Sequence, residues 1–423
     1  AASRADRFNV QPENNRYYQL KEQRPALMAK YIAEGKMDDP ARKYRLEDAR
    51  DFVGECPDMC PEYERHEREF QKGLMDFMQI PDTEKVDHAR AVKRYRRSAA
   101  DDEQPLPCDV RPPAVLNRTL DYLIHDLLPQ YDLQRTYGFI RDRMRAIRKD
   151  ITLQNLRGPE AVSLFERIAR YHLMCSQALC EKIDIKQEYE QLGKTLQSLI
   201  EFYDDLREHG QEMPNEAEFR AYYLLHHAFN PDVQSAMENK FRGTAFMLHP
   251  SIQLALKLRG LMPRLDLHHD DDDDDGMDNA ELAGEGRMEA YATFFNILED
   301  PQTPYLLACA AHPHFIVVRR YAFKHMNAAI YVFPGTPDTW TSLTSLVHRL
   351  GYDNQQDAQI DIDYYEIPTA ELDGEVYASI GKVKQVGADG KSQMVPGKFI
   401  GEARAADVRS DLFYGHDAYS FTN

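Results

Sequence analysis

The sequence predicts an all-α helical-repeat (TPR-like) solenoid followed by a C-terminal winged-helix module. From Ala114 to about Ile330, apolar residues recur at helical spacings, and short Gly-Pro or Asn-Pro breaks separate the stretches. This pattern is typical of paired amphipathic helices. After Ile330 come a short strand, two helices and further strands, which is the element order of a winged helix. No fixed-length repeat is evident, so the solenoid prediction depends on helix lengths and turn spacing.

The first fifty residues combine charges and helix formers with scattered apolar anchors, and we expect them to form a docking arm. The anchors are Tyr17, Tyr18, Leu20, Leu27, Met28, Tyr31 and Ile32. Pro57 and Pro61 mark a turn, and a helix is predicted from about Glu62 to Met78. The proline-rich stretch Gln104–Pro113 indicates a surface connection.

The helical region contains a series of predicted helices interrupted by one acidic insertion. Beyond the first helices, the predicted spans are Leu192–Leu206, Glu216–Phe229, Ile252–Leu258, Met288–Leu298 and Phe315–Ile330. The insertion His268–Gly286 contains the aspartate run Asp270–Asp275 and few apolar residues. It buries too little apolar surface to offset the entropy of ordering, so we expect a disordered loop.

The C-terminal elements are shorter. The predicted strands are Tyr331–Phe333 and Glu375–Ile380, and the predicted helices are Pro337–Leu350, with Trp340 on its apolar face, and Asn354–Tyr364. Gly351 is expected to end the first of these helices. Residues 387–423 are rich in Gly, Ser and Asp, and we expect a loose tail.

Composition excludes several classes of protein. The 423 residues are 43% hydrophobic and carry a formal charge of −18, so the surface as a whole does not suit nucleic acid. We expect no membrane span and no signal peptide, because no apolar run is long enough. Six scattered cysteines fit a reducing compartment.

No catalytic or nucleotide-binding motif occurs, and we expect a non-enzymatic protein without cofactors. Cys56, Cys60 and His66 form a C-x3-C-x5-H pattern that lacks a clear fourth zinc ligand. We interpret the cysteines as structural and predict no metal site.

Two basic clusters are candidates for nucleic-acid binding, because clustered cations suit phosphate contacts. The first contains Lys85, Arg90, Lys93, Arg94, Arg96 and Arg97, and the second contains Arg135, Arg141, Arg143, Arg145, Arg148 and Lys149. In the second, Arg141, Arg145, Arg148 and Lys149 share one side of a helix, while Ile140, Met144, Ile147 and Ile151 face the core. The alternative is that these cations pair with acidic residues of neighbouring helices.

The second helix of the winged-helix module has no Lys or Arg from Asn354 to Glu366 but several carboxylates, which disfavours groove reading. Nucleic acid would then contact the edges of the module, without sequence specificity. The candidate cations are Arg319, Arg320, Lys324, Lys382 and Lys384, and the candidate partner-binding residues are Trp340, Tyr364, Tyr365 and Tyr377.

Two sequence blocks resemble a known family. Cys56–Arg65 reads CPDMCPEYER, and Tyr137–Asp150 reads YGFIRDRMRAIRKD. Both are similar to signatures of the GANP (Sac-three) family, and Arg111-Pro112-Pro113 between them also fits. The resemblance extends from about Asp51 to Lys384.

The resemblance implies a scaffold of the nuclear transcription-and-export complex two, with a PCI-like arrangement of helical repeats and winged helix. It implies pairing with a second PCI protein and with a small acidic Sem/DSS-type subunit, in a shared platform for RNA or duplex DNA. The implied location is the nuclear pore at the inner face of the nuclear envelope, reached through regions outside this chain.

The predicted domains are the arm (1–50), a signature segment with helices (51–113), the helical repeats (114–330), the winged helix (331–386) and the tail (387–423). Two alternatives stay open. One is a PCI-type subunit of a proteasome lid or signalosome, and the other is a helical acyltransferase, although no acetyl-donor binding loop is evident.

Overall fold

The computed structural model describes residues 15–39, 52–97, 105–262, 290–333, 335–386 and 392–396. It contains two compact units, Ala1–Ile168 and Ala169–Asn423. The acidic loop predicted at 268–286 and most of the predicted tail lie outside the described residues. The domain boundaries predicted at 50/51, 113/114, 330/331 and 386/387 stay predictions. No helix in the described ranges is both long and apolar enough to cross a membrane.

The first unit is built from helices joined by extended segments. Its helices are α1 (Arg16–Ala33), α2 (Glu62–Phe70), α3 (Pro113–Asp121), α4 (Leu133–Leu153) and the first half of α5 (Pro159–Ala178). A π-helical turn at Tyr122–Leu127 continues α3. α4 begins at Asp132, whose carboxylate accepts hydrogen bonds from the N–H groups of Gln134 and Arg135.

The helix predicted over Glu62–Met78 is wrong in its second half. α2 ends at Phe70, because Lys72 adopts a left-handed conformation with φ 53°. The N–H of Gly73 then donates to the carbonyl of Arg68 at 2.9 Å, which closes the helix in a Schellman motif. Only a short 3₁₀ turn, Asp76–Met78, follows.

The proline-rich stretch at Gln104–Pro113 is not a surface connection where it is described. Leu106, Val110 and Arg111 are buried, and Arg111 is completely inaccessible. The N–H of Cys56 donates to the carbonyl of Val110 at 2.9 Å, so the first signature block is hydrogen-bonded to this stretch. A side chain at Gly54 would clash with the same carbonyl at 2.5 Å.

The described part of the arm packs against other elements of the first unit. The Tyr17 ring stacks on Phe70 at 5.1 Å, and Arg24 forms an ion pair with Asp109 at 2.8 Å. Further along, Tyr31 belongs to a small apolar cluster with Met37 and Leu106.

The second unit is mainly helical. Its helices are α6 (Ile185–Glu208), α7 (Glu216–His226), α8 (Pro231–Phe241), α9 (Pro250–Leu261), α10 (Ala290–Glu299), α11 (Tyr305–Ala311) and α12 (Phe315–Ala329). The predictions for α7, α9, α10 and α12 are confirmed within a few residues at their ends, whereas α6 starts seven residues before the predicted Leu192, and α8 and α11 were not predicted. α7 packs against α6, α9 and α11, so neighbouring helices share one apolar core.

The second unit ends in short helices and two small antiparallel sheets. The elements are β1 (Thr341–Ser342), α13 (Leu343–Leu350), α14 (Gln355–Tyr364), β2 (Thr369–Leu372), β3 (Glu375–Ala378), β4 (Lys382–Val386) and β5 (Ser392–Pro396). The first sheet has the order β1-β3-β2, and β4 pairs with β5. Gly351 ends α13 in a left-handed conformation with φ 58°, as predicted.

The helix predicted over Pro337–Leu350 starts later than expected. Ser342 caps α13 by accepting a hydrogen bond from the N–H of Ser345, and strand β1 directly precedes it. Trp340 therefore lies outside the helix, and its indole N–H donates to the carbonyl of Phe333 at 3.2 Å.

Candidate nucleic-acid interface

The two basic clusters predicted in the first unit lie side by side. The segment that follows Lys93 runs along α4, where the N–H of Tyr95 donates to Asp142 Oδ2 at 3.2 Å. Lys149 Nζ donates to the carbonyl of Arg96 at 2.9 Å. Both clusters therefore contribute to one surface, which we call the basic surface. It comprises Arg94, Arg96, Arg97, Arg141, Arg145, Arg148 and Lys149.

α4 holds its part of the basic surface in place through its opposite side. Ile140, Met144, Ile147 and Ile151 are at most 1% exposed, as the apolar pattern predicted. Arg145 follows Arg141 by four residues, and Arg148 follows Arg145 by three, so these cations occupy consecutive turns of one helix.

Two tyrosines lie among these cations. The guanidinium carbon of Arg145 lies 4.1 Å from the centre of the Tyr95 ring, and that of Arg141 lies 6.0 Å from the Tyr137 ring. Both rings are half-buried. The basic surface thus combines positive charge with aromatic rings, which favour nucleic acid over a simple anion.

Lys93 does not belong to this surface, which corrects the sequence prediction. Its ammonium donates to Asp150 Oδ1 at 2.6 Å and to the carbonyl of Asp109 at 2.7 Å, and the side chain is 13% exposed. For this residue the alternative interpretation, pairing with a neighbouring acid, is confirmed. Arg96 also pairs with Glu67, but it stays 43% exposed.

Arg148 is a half-buried cation of the basic surface. Burial, followed by the charge of Arg145, lowers the pKa of Arg148 to about 10. The guanidinium is still charged at neutral pH, so Arg145 and Arg148 repel each other. A phosphate group near both would relieve this repulsion.

Arg143 was counted in the second cluster, but it faces the core. It is 2% exposed, pairs with Asp142 and lies 4.3 Å from the Phe139 ring. Burial, followed by the charge of Arg68, lowers the pKa of Arg143 to about 10. Its position three residues after Ile140 and four before Ile147 was a signal for this inward orientation.

Besides the accessible cations of the basic surface, the family signature blocks contribute to an ionic network that is partly buried. Asp150 and Arg111 are both inaccessible, and Arg111 Nε donates to Asp150 Oδ2 at 2.7 Å. In α2, Arg68 pairs with Glu64 at 3.4 Å and Arg65 with Asp58 at 2.9 Å. Arg111 Nη1 also donates to the carbonyl of Met59 at 3.4 Å, so Arg111 connects the two blocks, a role that sequence reasoning missed.

Cys56 and Cys60 are buried free thiols. The thiol of Cys56 donates to the carbonyl of Asp58 at 3.3 Å, and burial raises its pKa to about 11. His66 contacts His88 instead, with ring centres 5.4 Å apart. In the part of the chain that the structure describes, no three His, Cys, Asp or Glu side chains are arranged to hold a metal ion.

Arg319 in the second unit is structural, which corrects its prediction as a nucleic-acid ligand. It is 3% exposed. Its guanidinium donates to the carbonyls of Leu350 at 3.0 Å and Gly351 at 2.6 Å, and its carbon lies 3.9 Å from the Tyr352 ring. A cation at the C-terminus of a helix, here α13, is favourable.

The other predicted cations of the second unit are more accessible. Arg320 is half-buried and Lys324 is exposed one turn later on α12. Lys382 lies in β4, with its ammonium 5.8 Å from the Tyr331 ring. The side chain of Lys384 lies outside the described part of the chain.

The predicted partner-binding residues differ in exposure. Tyr364 is 37% exposed, whereas Tyr365 is 6% exposed and packs against Phe323, so Tyr365 is not available to a partner. Trp340 and Tyr377 are half-buried. Sequence reasoning missed Ile360, which is 44% exposed one turn before Tyr364 on α14.

The surface around α14 is acidic. No Lys or Arg occurs from residue 350 to residue 381, whereas this stretch carries eight carboxylates. Asp361 is buried, and the accessible ones are Asp353, Asp357, Asp363, Glu366, Glu371, Asp373 and Glu375. This face would repel phosphates, and it suits a partner surface that is basic around apolar side chains.

The sequence also matches known proteins. The model of the SAC3/GANP family matches residues 59–371, which is most of the chain. This chain therefore belongs to the SAC3/GANP family, as the two signature blocks indicated.

Similar curated proteins come from distant eukaryotes. SAC3 family protein 1 of Schizosaccharomyces pombe is 38% identical over 90% of this chain and 36% of its own length. Protein xmas of Drosophila melanogaster is 31% identical over 74% of this chain and 14% of its own length. SAC3 family protein B of Arabidopsis thaliana is 32% identical over 68% of the chain and 16% of its length. The chain thus spans roughly a third or less of these relatives.

Proposed function

We propose that this chain is the nucleic-acid-binding and partner-binding part of a non-enzymatic scaffold in a nuclear mRNA-export complex. Membership of the SAC3/GANP family supports the scaffold role and the nuclear location. The observation that best supports nucleic-acid binding is that two basic clusters, distant in sequence, lie together on one side of α4.

We further propose that the second unit is a helical-repeat solenoid that ends in a winged helix, the PCI-like arrangement. The support is topological. Helix α12 precedes strand β1. Helices α13 and α14 follow β1, and strands β2 and β3 then complete a sheet of order β1-β3-β2. Asp373 and Gly374 both have positive φ between β2 and β3, which fits a tight hairpin, the wing of such a module.

In this proposal, α14 pairs with a second PCI protein, and a small acidic Sem/DSS-type subunit completes the complex. Ile360 and Tyr364 supply apolar anchors, and the surrounding carboxylates favour a basic partner face. Arg320, Lys324, Lys382 and Lys384 would add to the nucleic-acid platform at the edges of the module. Attachment to the nuclear pore would involve other parts of the longer family proteins.

Reconstitution tests this proposal. The chain would be co-purified with its PCI partner and the small acidic subunit, and RNA binding would then be titrated against salt. We expect a stable complex whose RNA affinity exceeds that of either part and falls steeply as salt rises, because phosphate contacts release counterions. A chain that assembles with neither subunit and binds no RNA would contradict the proposal.

A further inference from the structure

The aromatic rings of the basic surface indicate which form of nucleic acid it binds. A duplex presents only phosphates and groove edges to a helix surface, so cations alone are sufficient to bind it. Single strands expose the faces of their bases, which stack on tyrosine rings and on guanidinium planes. Tyr95 with Arg145, and Tyr137 with Arg141, provide two such ring–guanidinium pairs along α4.

A cleft adjoins the same surface within the first unit. It has a volume of about 320 Å³ and lies between α1, the start of α2 and the C-terminal half of α4. Arg94, Arg96 and Lys149 line it, so it shares three cations with the basic surface. A concave site of this size is comparable to small-ligand pockets, so it is large enough to consider for one unpaired nucleotide.

The chemistry of the cleft also fits a nucleotide. Lys21 and Arg94 are exposed at its rim, and within the described residues neither has a carboxylate partner in an ion pair. Tyr63 contributes a ring, against which the Arg24 guanidinium carbon lies at 4.4 Å. Glu64 and Glu67 also line the cleft, where Glu64 pairs with Arg68 and Glu67 with Arg96.

We propose that the basic surface binds single-stranded nucleic acid, with bases stacked at Tyr95 and Tyr137 and one unpaired nucleotide in the adjoining cleft. This inference rests on the proposed function, because it assumes that the surface binds nucleic acid at all. It adds that binding depends on exposed bases, not on phosphate charge alone.

The first experiment compares four probes of equal length on the 423-residue chain by fluorescence anisotropy. They are single-stranded RNA, single-stranded DNA, an abasic phosphodiester strand and an RNA duplex. We expect both single strands with bases to bind at least tenfold more tightly than the abasic strand and the duplex. Equal affinities for strand, abasic strand and duplex would overturn this inference and leave the proposed function intact. Absence of binding to every probe would overturn both.

Variants at Tyr95 separate stacking from charge. Tyr95→Leu keeps an apolar side chain but removes the ring, and we expect about five- to hundredfold weaker single-strand binding. The salt dependence should stay unchanged, because no cation is lost. Tyr95→Phe keeps the ring and should bind like the parent chain. Equal binding by all three proteins would overturn the role of Tyr95.

Photo-crosslinking locates the strand directly. RNA containing 4-thiouridine would be irradiated with the chain, and the attached peptides would be identified by mass spectrometry. We expect crosslinks in residues 94–97, in α4 near Tyr137, and at the cleft near Tyr63. Crosslinks confined to residues 169–423 would overturn the proposed site.

Discussion

Several arginines of this chain are buried and hold backbone and acidic groups in place. Their positive charge alone did not distinguish them from surface arginines. Arg319 has the same charge as Arg320, but it follows Phe315 by four residues and precedes Ala322 by three on α12. This apolar spacing places it on the buried side. Arg320, one residue further, points away from that side and is half-buried.

We therefore expect Arg319→Ala to lower the free energy of unfolding by about 2–4 kcal/mol, because two carbonyls lose a charged donor. Arg320→Ala, the matched control, should change it by less than about 0.5 kcal/mol. Urea denaturation measures both. A stable Arg319→Ala protein that has lost nucleic-acid binding would restore the sequence prediction.

Asp150 is the acceptor shared by Arg111 and Lys93 in the first unit. Replacing it by Asn would leave these cations poorly compensated, and we expect a loss of about 3–5 kcal/mol. The control is Asp76→Asn, whose carboxylate is 82% exposed and should cost almost nothing. Thermal unfolding of both variants checks the difference, and equal melting temperatures would contradict the role assigned to the buried network.

Apolar periodicity in the sequence predicted well where helices occur. It predicted poorly where α2 ends and where α13 starts, because those positions depend on local capping. α4 was predicted with its buried face because four apolar residues recur at helical spacing. The end of α2 and the start of α13 depended instead on a left-handed Lys72 and a Ser342 cap. Such features involve one residue each, so a pattern over many residues does not detect them.

The packing of α7 predicts a dependence of stability on pH. His226 at the end of α7 is half-buried, and His314 is buried against α7, where its ring contacts the carbonyl of Leu225. Desolvation lowers their pKa values to about 3 and about 4. The ordinary pKa near 6.5 applies to the unfolded chain. Between pH 6.5 and 4 the unfolded chain therefore binds protons that the folded chain does not, so stability is lost as pH falls.

We expect the unfolding free energy to fall between pH 7 and pH 5, by up to about 1.4 kcal/mol per pH unit for each histidine. His314→Gln should show a shallower fall, because one such group is absent. Urea denaturation at several pH values measures the slopes. Identical slopes for the two proteins would contradict burial of a neutral His314.

α14 supplies the prediction about partner binding. Ile360→Asp should weaken assembly with the PCI partner at least tenfold, because an apolar anchor becomes a further negative charge. Lys194→Asp is a control at an exposed position on α6 of the same unit. Co-purification and titration with the partner measure the effect. If the Ile360→Asp variant assembled with the partner as well as the parent chain does, the proposed partner site on α14 would be wrong.

For the whole molecule, the sequence predicted the family correctly, but it predicted only part of the basic surface. The two signature blocks identified the family, since they are specific and stand in the expected order. Half of their residues, however, are buried and have structural roles. The adjacency of the two basic clusters depends on contacts such as Lys149 with Arg96, more than fifty residues apart, which no local pattern contains.

The most direct test of the central claim is the salt dependence of RNA binding for the double variant Arg145→Glu/Lys149→Glu. The matched control is Lys72→Glu, since Lys72 is an exposed cation of the same unit outside the basic surface. We predict that the double variant binds at least tenfold more weakly, with a log–log salt slope reduced by about 1.4, and that the control binds like the parent chain. Equal affinity and equal slope for all three proteins would contradict the account.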